Sequence, residues 1–247
     1  MRRALAMLLI VGAIPGDADA FDHRRFDRVL RAHVEGGRVD YAGIKRSAMA
    51  ELDAYLASVA RARLDGLSKP ARLAFFLNAY NALVIREVAR RYPLTSVKKV
   101  SGFFKGLRHK VAGKMLTLDE LEHKTIRPEF KDARIHFALV CAARSCPPLR
   151  AAAFQGASLD RVLDRLTRSF INSWNGVRIK GDTVRVSQLF SWFAEDFKRD
   201  AGSVGRFLAR YHKTAAPRLA TMTHFEYLPY DWSLNVKAPA IGQPSPG

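Results

Sequence analysis

The 247-residue sequence is poor in cysteine, with two, and in acidic residues, with 23 against 41 Lys and Arg; it also lacks any apolar run of membrane-spanning length and any internal repeat. Each shortage excludes something. Two cysteines cannot staple a miniprotein. The spacing of Cys141 and Cys146, C-x4-C, fits neither the C-x-x-C of thioredoxin-type redox sites nor a zinc ribbon, which wants a second pair. No metal constellation is legible either, because His23, His33, His109, His212 and His224 stand apart from carboxylates at ligand spacing. No phosphate-loop or dinucleotide pattern occurs, and no cofactor is implied.

What remains is an ordinary folding composition on a very basic chain. Hydrophobic residues make up 48% of it, enough for a sizeable core at a length that suits one large domain or two small ones. The formal charge is +18, which predicts attraction to polyanions but says little about fold. Residues 1–20 carry Arg2 and Arg3, an apolar run of 11 residues from Ala4 to Ile14, and the ending Ala18-Asp19-Ala20. This is the three-part form of a cleavable secretory signal, and its apolar core falls short of the roughly 20 residues that span a bilayer. The expectation is an exported protein, periplasmic or secreted, cut near Ala20, with no transmembrane segment in the mature chain. Cleavage leaves the charge at +18. Outside the cytoplasm that charge argues for an anionic envelope polymer or headgroup as counterpart and against nucleic acid.

Periodicity predicts helices over Phe21–His33 and Met49–Leu64, then a strong one over Ala71–Tyr92, with Ser68 as N-cap, Pro70 in its first turn and Pro93 as its stop. Thr95–Met115 reads as a basic, Gly-punctuated loop. Thr117 and Glu120 form a capping box for the helix LDELEHKTI. The apolar run IHFALVCA has the length of a strand buried on both faces, followed by a loop over Ala143–Ala152. Ser158 caps a helix, Gly181-Asp182 joins the strands GVRIK and TVRVS, and helices follow near Gln188–Phe197 and Ser203–Tyr211. The expected fold is α+β: a mostly helical single domain over residues 21–235 around a small buried sheet, with a β-hairpin near residues 176–187 and a disordered tail from 236.

Four constellations carry chemistry. Asn78, Tyr80 and Asn81 are polar residues in a helix built for burial, where an unsatisfied group costs about 1–3 kcal/mol; they serve a cleft or anchor neighbouring loops. Glu122-His123 pairs a carboxylate with an imidazole on one helix. Cys141 falls on a buried face, whereas Cys146 lies past the strand's end beside Ser145, Arg144 and Arg150, cations that favour a thiolate; two free thiols with different jobs and one small bridge are both open. A base for Cys146 is at hand in His123 or His136. Last, no acidic residue lies between Glu87 and Asp119, while eight Lys and Arg do, Lys105 and Arg108 among them, interleaved with Phe103-Phe104.

Taken in order, FFLNAYNALV, YPLTSVKKV, LTLDELEH, RIHFALVCAARSCPPLR and YLPYDWSLN make the chain resemble the domain of unknown function 547 family over nearly all of residues 21–235. The resemblance implies no assigned activity and, for bacterial members, an export signal. It singles out Asn78, Tyr80, Asn81, Glu122, His123, Cys141, Ser145, Cys146, Pro147 and Arg150. Some eukaryotic relatives carry Ser at the position of Cys146, which favours Glu122-His123 over a strictly thiol mechanism.

The resulting expectation is a papain-like cysteine hydrolase or acyl transferase acting on an amide or ester. Cys146 is its nucleophile and His123 its base, Glu122 or Asn78 orients the imidazole, and backbone N–H groups near Cys146 hold the oxyanion. Asn81, Tyr80, Ser145, Arg150, Lys105 and Arg108 line the binding surface. The alternatives are a non-enzymatic envelope module that binds anionic glycan or membrane surface through residues 98–114, and a redox role for the two cysteines.

Overall fold

Ser68 starts the helix that organises the molecule: its Oγ accepts the Ala71 N–H at 3.3 Å, and Pro70 occupies the first turn. The helix runs Lys69–Arg91 and is buried on nearly every side from Leu73 to Ala89, in a computed structural model that describes residues 21–237. The expected signal segment 1–20 and residues 238–247 of the tail expected from 236 lie outside the described residues. Helix Met49–Arg61 packs on it and helix Arg24–His33 packs on Met49–Arg61 in turn, their apolar stripes inward, and the three contribute to the larger core. A second core gathers Phe137, Phe170, Phe190, Phe197 and Phe207 between helix Leu159–Ile171, a hairpin and helices Ala194–Ala201, Val204–Tyr211 and Ala216–Thr221. Each such ring contributes about 1.5–3 kcal/mol by leaving water. No helix among the described residues is long and apolar enough to cross a membrane.

The β structure is small and divided. Strands β1 (Val34–Glu35) and β2 (Arg38–Val39) pair antiparallel around Gly36-Gly37, both at positive φ. A Cβ on Gly37 would stand 2.4 Å from Pro148 Cβ, so glycine there lets the hairpin press on the cysteine loop. Strands β3 (Arg108–Val111) and β4 (Lys114–Thr117) form a hairpin inside the basic stretch read as loop from sequence; its turn is Ala112-Gly113, a pair without the Asn-Gly or Asp-Gly signature. Strands β5 (Val177–Lys180) and β6 (Thr183–Val186) turn at Gly181-Asp182 as expected, and β7 (Glu226–Tyr227) adds to β6 in parallel.

One element differs in kind from the sequence reading. The run IHFALVCA is buried but is not a strand: Ala133–Phe137 is a 3-10 turn and the rest is irregular. Part of its backbone is bonded by side chains. Asn81 Nδ2 donates to the Ala138 carbonyl at 2.9 Å, and Asn81 Oδ1 accepts the Val140 N–H at 3.0 Å. Asn78 treats Phe154 identically, donating to its carbonyl and accepting its N–H, both at 2.9 Å. Two amides on the central helix thus replace the sheet neighbours these segments lack. The described residues form a mostly helical α+β domain with three small sheets of two or three strands.

Candidate functional site

Between the two cores lies a cavity of about 510 Å³. Its walls are Tyr80 from the long helix, Phe104 and Lys105, the Asp119-Glu122-His123 segment, His136, the Cys141 and Cys146 sulfurs, and an aromatic side made of Trp192, Phe193, Tyr230 and Trp232.

The Glu122 segment owes its shape to two local choices. The capping box is complete: Thr117 Oγ1 accepts the Glu120 N–H and Glu120 Oε2 accepts the Thr117 N–H, both at 3.1 Å. After Leu118–Glu120 the backbone widens into a π-helix over Leu121–Ile126, then regains α form in Arg127–Phe130. Such bulges redirect side chains and recur at functional sites. Here the widened turn sends both Glu122 and His123 into the cavity wall.

The 3-10 turn sends His136 to meet them. His136 is 1% exposed, and its ring stacks on Phe193 with centroids 3.8 Å apart. Nε2–H donates to Asp196 Oδ2 at 2.7 Å, and the same carboxylate is bound by Arg127 Nε at 2.7 Å and Arg199 Nη1 at 2.8 Å. Burial alone would push the Asp196 carboxyl up, but the His136 and Arg127 hydrogen bonds outweigh it and hold the group well below the usual carboxylate range. Burial lowers the His136 pKa against the pull of Asp196, so the imidazole is neutral, with its proton on Nε2. Its Nδ1 is buried without a hydrogen-bond partner among the described residues and faces Glu122 Oε1 at 3.9 Å.

Glu122 is itself perturbed. Its side chain is 12% exposed. Burial pushes its carboxyl up to about 7, helped by Asp119 and Asp196 and opposed by Arg127 and by the nearby Tyr80 hydroxyl. A carboxyl group able to give or take a proton near neutrality therefore stands beside an oriented, unpartnered imidazole nitrogen.

The structure separates the residues singled out from sequence. Glu122, His123, Tyr80, Lys105 and Cys146 line the cavity together. His123 is not the freer base: Arg127 Nη1 donates to its Nδ1 at 2.7 Å, and its Nε2 lies 3.8 Å from Asp119. Asn78 is fully buried on Phe154 and orients no imidazole, and Asn81 is spent on residues 138–140. Ser145 accepts the Asp231 N–H at 2.9 Å and so ties down the C-terminal segment, while Arg150 holds the Ala152 and Ala153 carbonyls. Arg108 sits on β3, bound to the Met115 carbonyl at 2.6 Å, and is not part of the cavity wall.

The cysteines are joined in a disulfide. The bridge forms part of the cavity wall, and Tyr230 Oη stands 3.4 Å from Cys141 Sγ and 3.3 Å from Cys146 Sγ. In this state Cys146 has no thiolate to attack with. The loop between the sulfurs is held firmly. Ala142 is buried in the left-handed region at φ 63°, unusual for a non-glycine residue, and its carbonyl accepts the Asn235 N–H. The N–H groups of Arg144, Ser145 and Cys146 bond to the carbonyls of Ser233, Asp231 and Ala143, so they are not the free oxyanion donors expected there.

Sequence reasoning missed Asp196, whose partner His136 lies 60 residues away, and underrated His136. A polar side chain inside the apolar run IHFALVCA was the available signal. Among the described residues no three His, Cys, Asp or Glu side chains are grouped to hold a metal ion. No curated protein and no solved structure matches the chain. The model of the family described as Protein of unknown function, DUF547, matches residues 64–171. Glu122, His136 and both cysteines fall inside that match, whereas Asp196 and the aromatic side at Trp192, Tyr230 and Trp232 lie beyond it.

Proposed function

We propose that the cavity is the active site of a hydrolase acting on an ester or amide, with His136 as general base, Asp196 as its orienting partner and Glu122 as general acid. The observation that carries this reading is the unpartnered Nδ1 of His136, held by Asp196 on its other side and facing a carboxyl that titrates near neutrality. In the disulfide-linked protein the attacking group is water. Nδ1 takes a proton from it, the hydroxide adds to the carbonyl carbon, and protonated Glu122 gives its proton to the departing alkoxide or amine. The bond to the leaving group breaks, an acid and an alcohol or amine result, and the proton on Nδ1 returns to Glu122 Oε1 across the 3.9 Å gap. Cys146 replaces water as nucleophile only in protein whose bridge has been reduced.

The pH dependence follows from the two groups. His136 must be neutral, so the rate falls in acid; Glu122 must carry its proton, so the rate falls as pH rises through about 7. The test is hydrolysis of a panel of acyl esters and anilides by the exported form of the chain, by His136→Ala and by Cys141→Ser/Cys146→Ser. The expected result is turnover by the parent protein and the double serine variant, with a loss of about 100-fold or more in His136→Ala. No turnover of any substrate by the parent, or undiminished turnover by His136→Ala, overturns the reading. Loss of all activity in the double serine variant while it remains folded moves the chemistry to the thiol.

A further inference from the structure

Three features of the cavity's open side point to one class of ligand. The first is the aromatic side. Trp192 is 46% exposed while lining the cavity. Its ring centroid lies 4.7 Å from that of Tyr230 and 6.0 Å from that of Trp232, which are 4.8 Å from each other. The three rings make one continuous apolar patch that reaches solvent. Exposed aromatic area of this kind marks a binding surface more often than a folding need.

The second is positive charge beside the patch, unpaired at Lys98. Lys98 Nζ sits over the Trp232 ring, 5.2 Å from its centroid, and Lys105 lines the cavity with its Nζ 3.9 Å from Asp119 Oδ1. Lys98 and Lys99 have no carboxylate within salt-bridge distance among the described residues, and the chain from Glu87 to Asp119 supplies none. Cations gathered at a cleft raise the local concentration of anions.

The third is the chemistry of the floor. Asp119, Glu122 and the Nδ1 of His136 are acceptors, or become acceptors once Glu122 is ionised. They call for a ligand rich in hydroxyl donors. A nucleic acid has stackable rings and negative charge but few hydroxyls, and its closely spaced phosphates would meet the carboxylates; clustered, mutually tilted rings also make a poor set of separate base-stacking slots. An acyclic lipid headgroup such as phosphoglycerol or phosphoserine has no apolar ring face to lay on the patch. A sugar ring presents C–H groups on its faces and hydroxyls at its edge, and an acidic sugar adds the carboxylate that the lysines require.

We propose that Trp192, Tyr230 and Trp232, with Lys98 and Lys105 beside them, form a subsite for an acidic sugar chain, and that the bond cut in the cavity is an acyl ester or amide carried by such a sugar. The second clause rests on the hydrolase reading above; the first stands on the patch and its lysines. The experiment is calorimetric titration of the full chain with galacturonate hexamer, with cellohexaose as its neutral counterpart, with a single-stranded oligonucleotide and with anionic phospholipid vesicles. The galacturonate hexamer is expected to bind, less tightly as salt is raised, and cellohexaose to bind more weakly. Trp192→Ala is expected to weaken binding by about tenfold, the loss of one stacked ring. Lys98→Ala is expected to flatten the salt dependence while the fold is unchanged.

Hexamer binding that survives Trp192→Ala, no binding of either sugar, or tighter binding of the oligonucleotide or vesicles overturns the subsite. The two proposals fail separately. Turnover of small esters without sugar binding removes the subsite and leaves the hydrolase, whereas sugar binding without any turnover removes the hydrolase and the second clause and leaves the subsite.

Discussion

Asn78 and Asn81 on the long helix and Glu122 and His136 at the cavity are all polar side chains buried in apolar surroundings, yet they differ in what happens to their hydrogen bonds. Each asparagine is bonded through both of its amide atoms: Nδ2 donates to a carbonyl and Oδ1 accepts an N–H of a neighbouring segment. His136 is satisfied at Nε2 and unsatisfied at Nδ1, and Glu122 holds its proton to about 7 because burial has raised the cost of ionising it. A buried polar group whose bonds are complete is doing a structural job. One left incomplete beside a cavity is kept at an energetic cost that the fold itself does not explain. The two regions predict opposite responses to mutation.

The largest effect is expected at the satisfied pair. Asn81→Ala leaves the Ala138 carbonyl and the Val140 N–H buried without partners, at about 1–3 kcal/mol each, so stability should fall by about 2–5 kcal/mol in denaturant unfolding. The pH dependence of whatever activity remains should be that of the parent. A folded, equally stable Asn81→Ala protein that had lost activity would erase the distinction between the two regions.

The next effect belongs to the incomplete pair and has the opposite sign. Folded Glu122 titrates near 7 and its ordinary value is 4.5. The native state therefore binds the proton more tightly than the unfolded chain, and native stability declines as pH rises from about 4.5 to about 7, then levels. Glu122→Gln has no proton to lose. It should equal the parent at pH 4 and exceed it by up to about 3.5 kcal/mol above pH 7, the whole shift converted at about 1.4 kcal/mol per unit. Urea melts of both proteins across that range check it. A Gln variant less stable than the parent at pH 8 would mean that the carboxylate is held by compensating bonds, as the asparagines are.

Much of the scaffold was legible in the sequence because it rests on local rules. Ser68 and Pro70 open the long helix, Thr117 and Glu120 close a capping box, and Gly181-Asp182 turns β5 into β6, each within four residues of its partner. The site was half legible. Glu122, Tyr80 and Cys146 were named from their neighbours in sequence and do meet in the cavity. The expected base was His123; which imidazole is pinned and which keeps an unpartnered nitrogen depends on Asp196 and Arg127, which are brought to the two rings only by the fold. The strand reading of IHFALVCA failed for a related reason. Apolar run length reports burial, and burial was right; what completes the backbone hydrogen bonds, a neighbouring strand or an asparagine amide, is not written in the run itself.

The smallest expected effect tests the comparison most finely, because it alters one hydroxyl beside the incomplete pair. Tyr80 places a hydroxyl donor near Glu122 and so favours its ionised form, opposing burial. Tyr80→Phe removes that donor and leaves the ring, so packing against the core is kept and stability should change by only about 1 kcal/mol. The Glu122 carboxyl should then titrate above its present value of about 7. The descending limb of the pH–rate profile should move to higher pH with it, as should the upper end of the pH range over which stability declines. A limb that stays in place in Tyr80→Phe would mean that some group other than Glu122 sets it. A limb that moves in Tyr80→Phe and stays fixed in Asn81→Ala would place the proton chemistry on the cavity side of the long helix, one residue away from the side chain that only holds the fold.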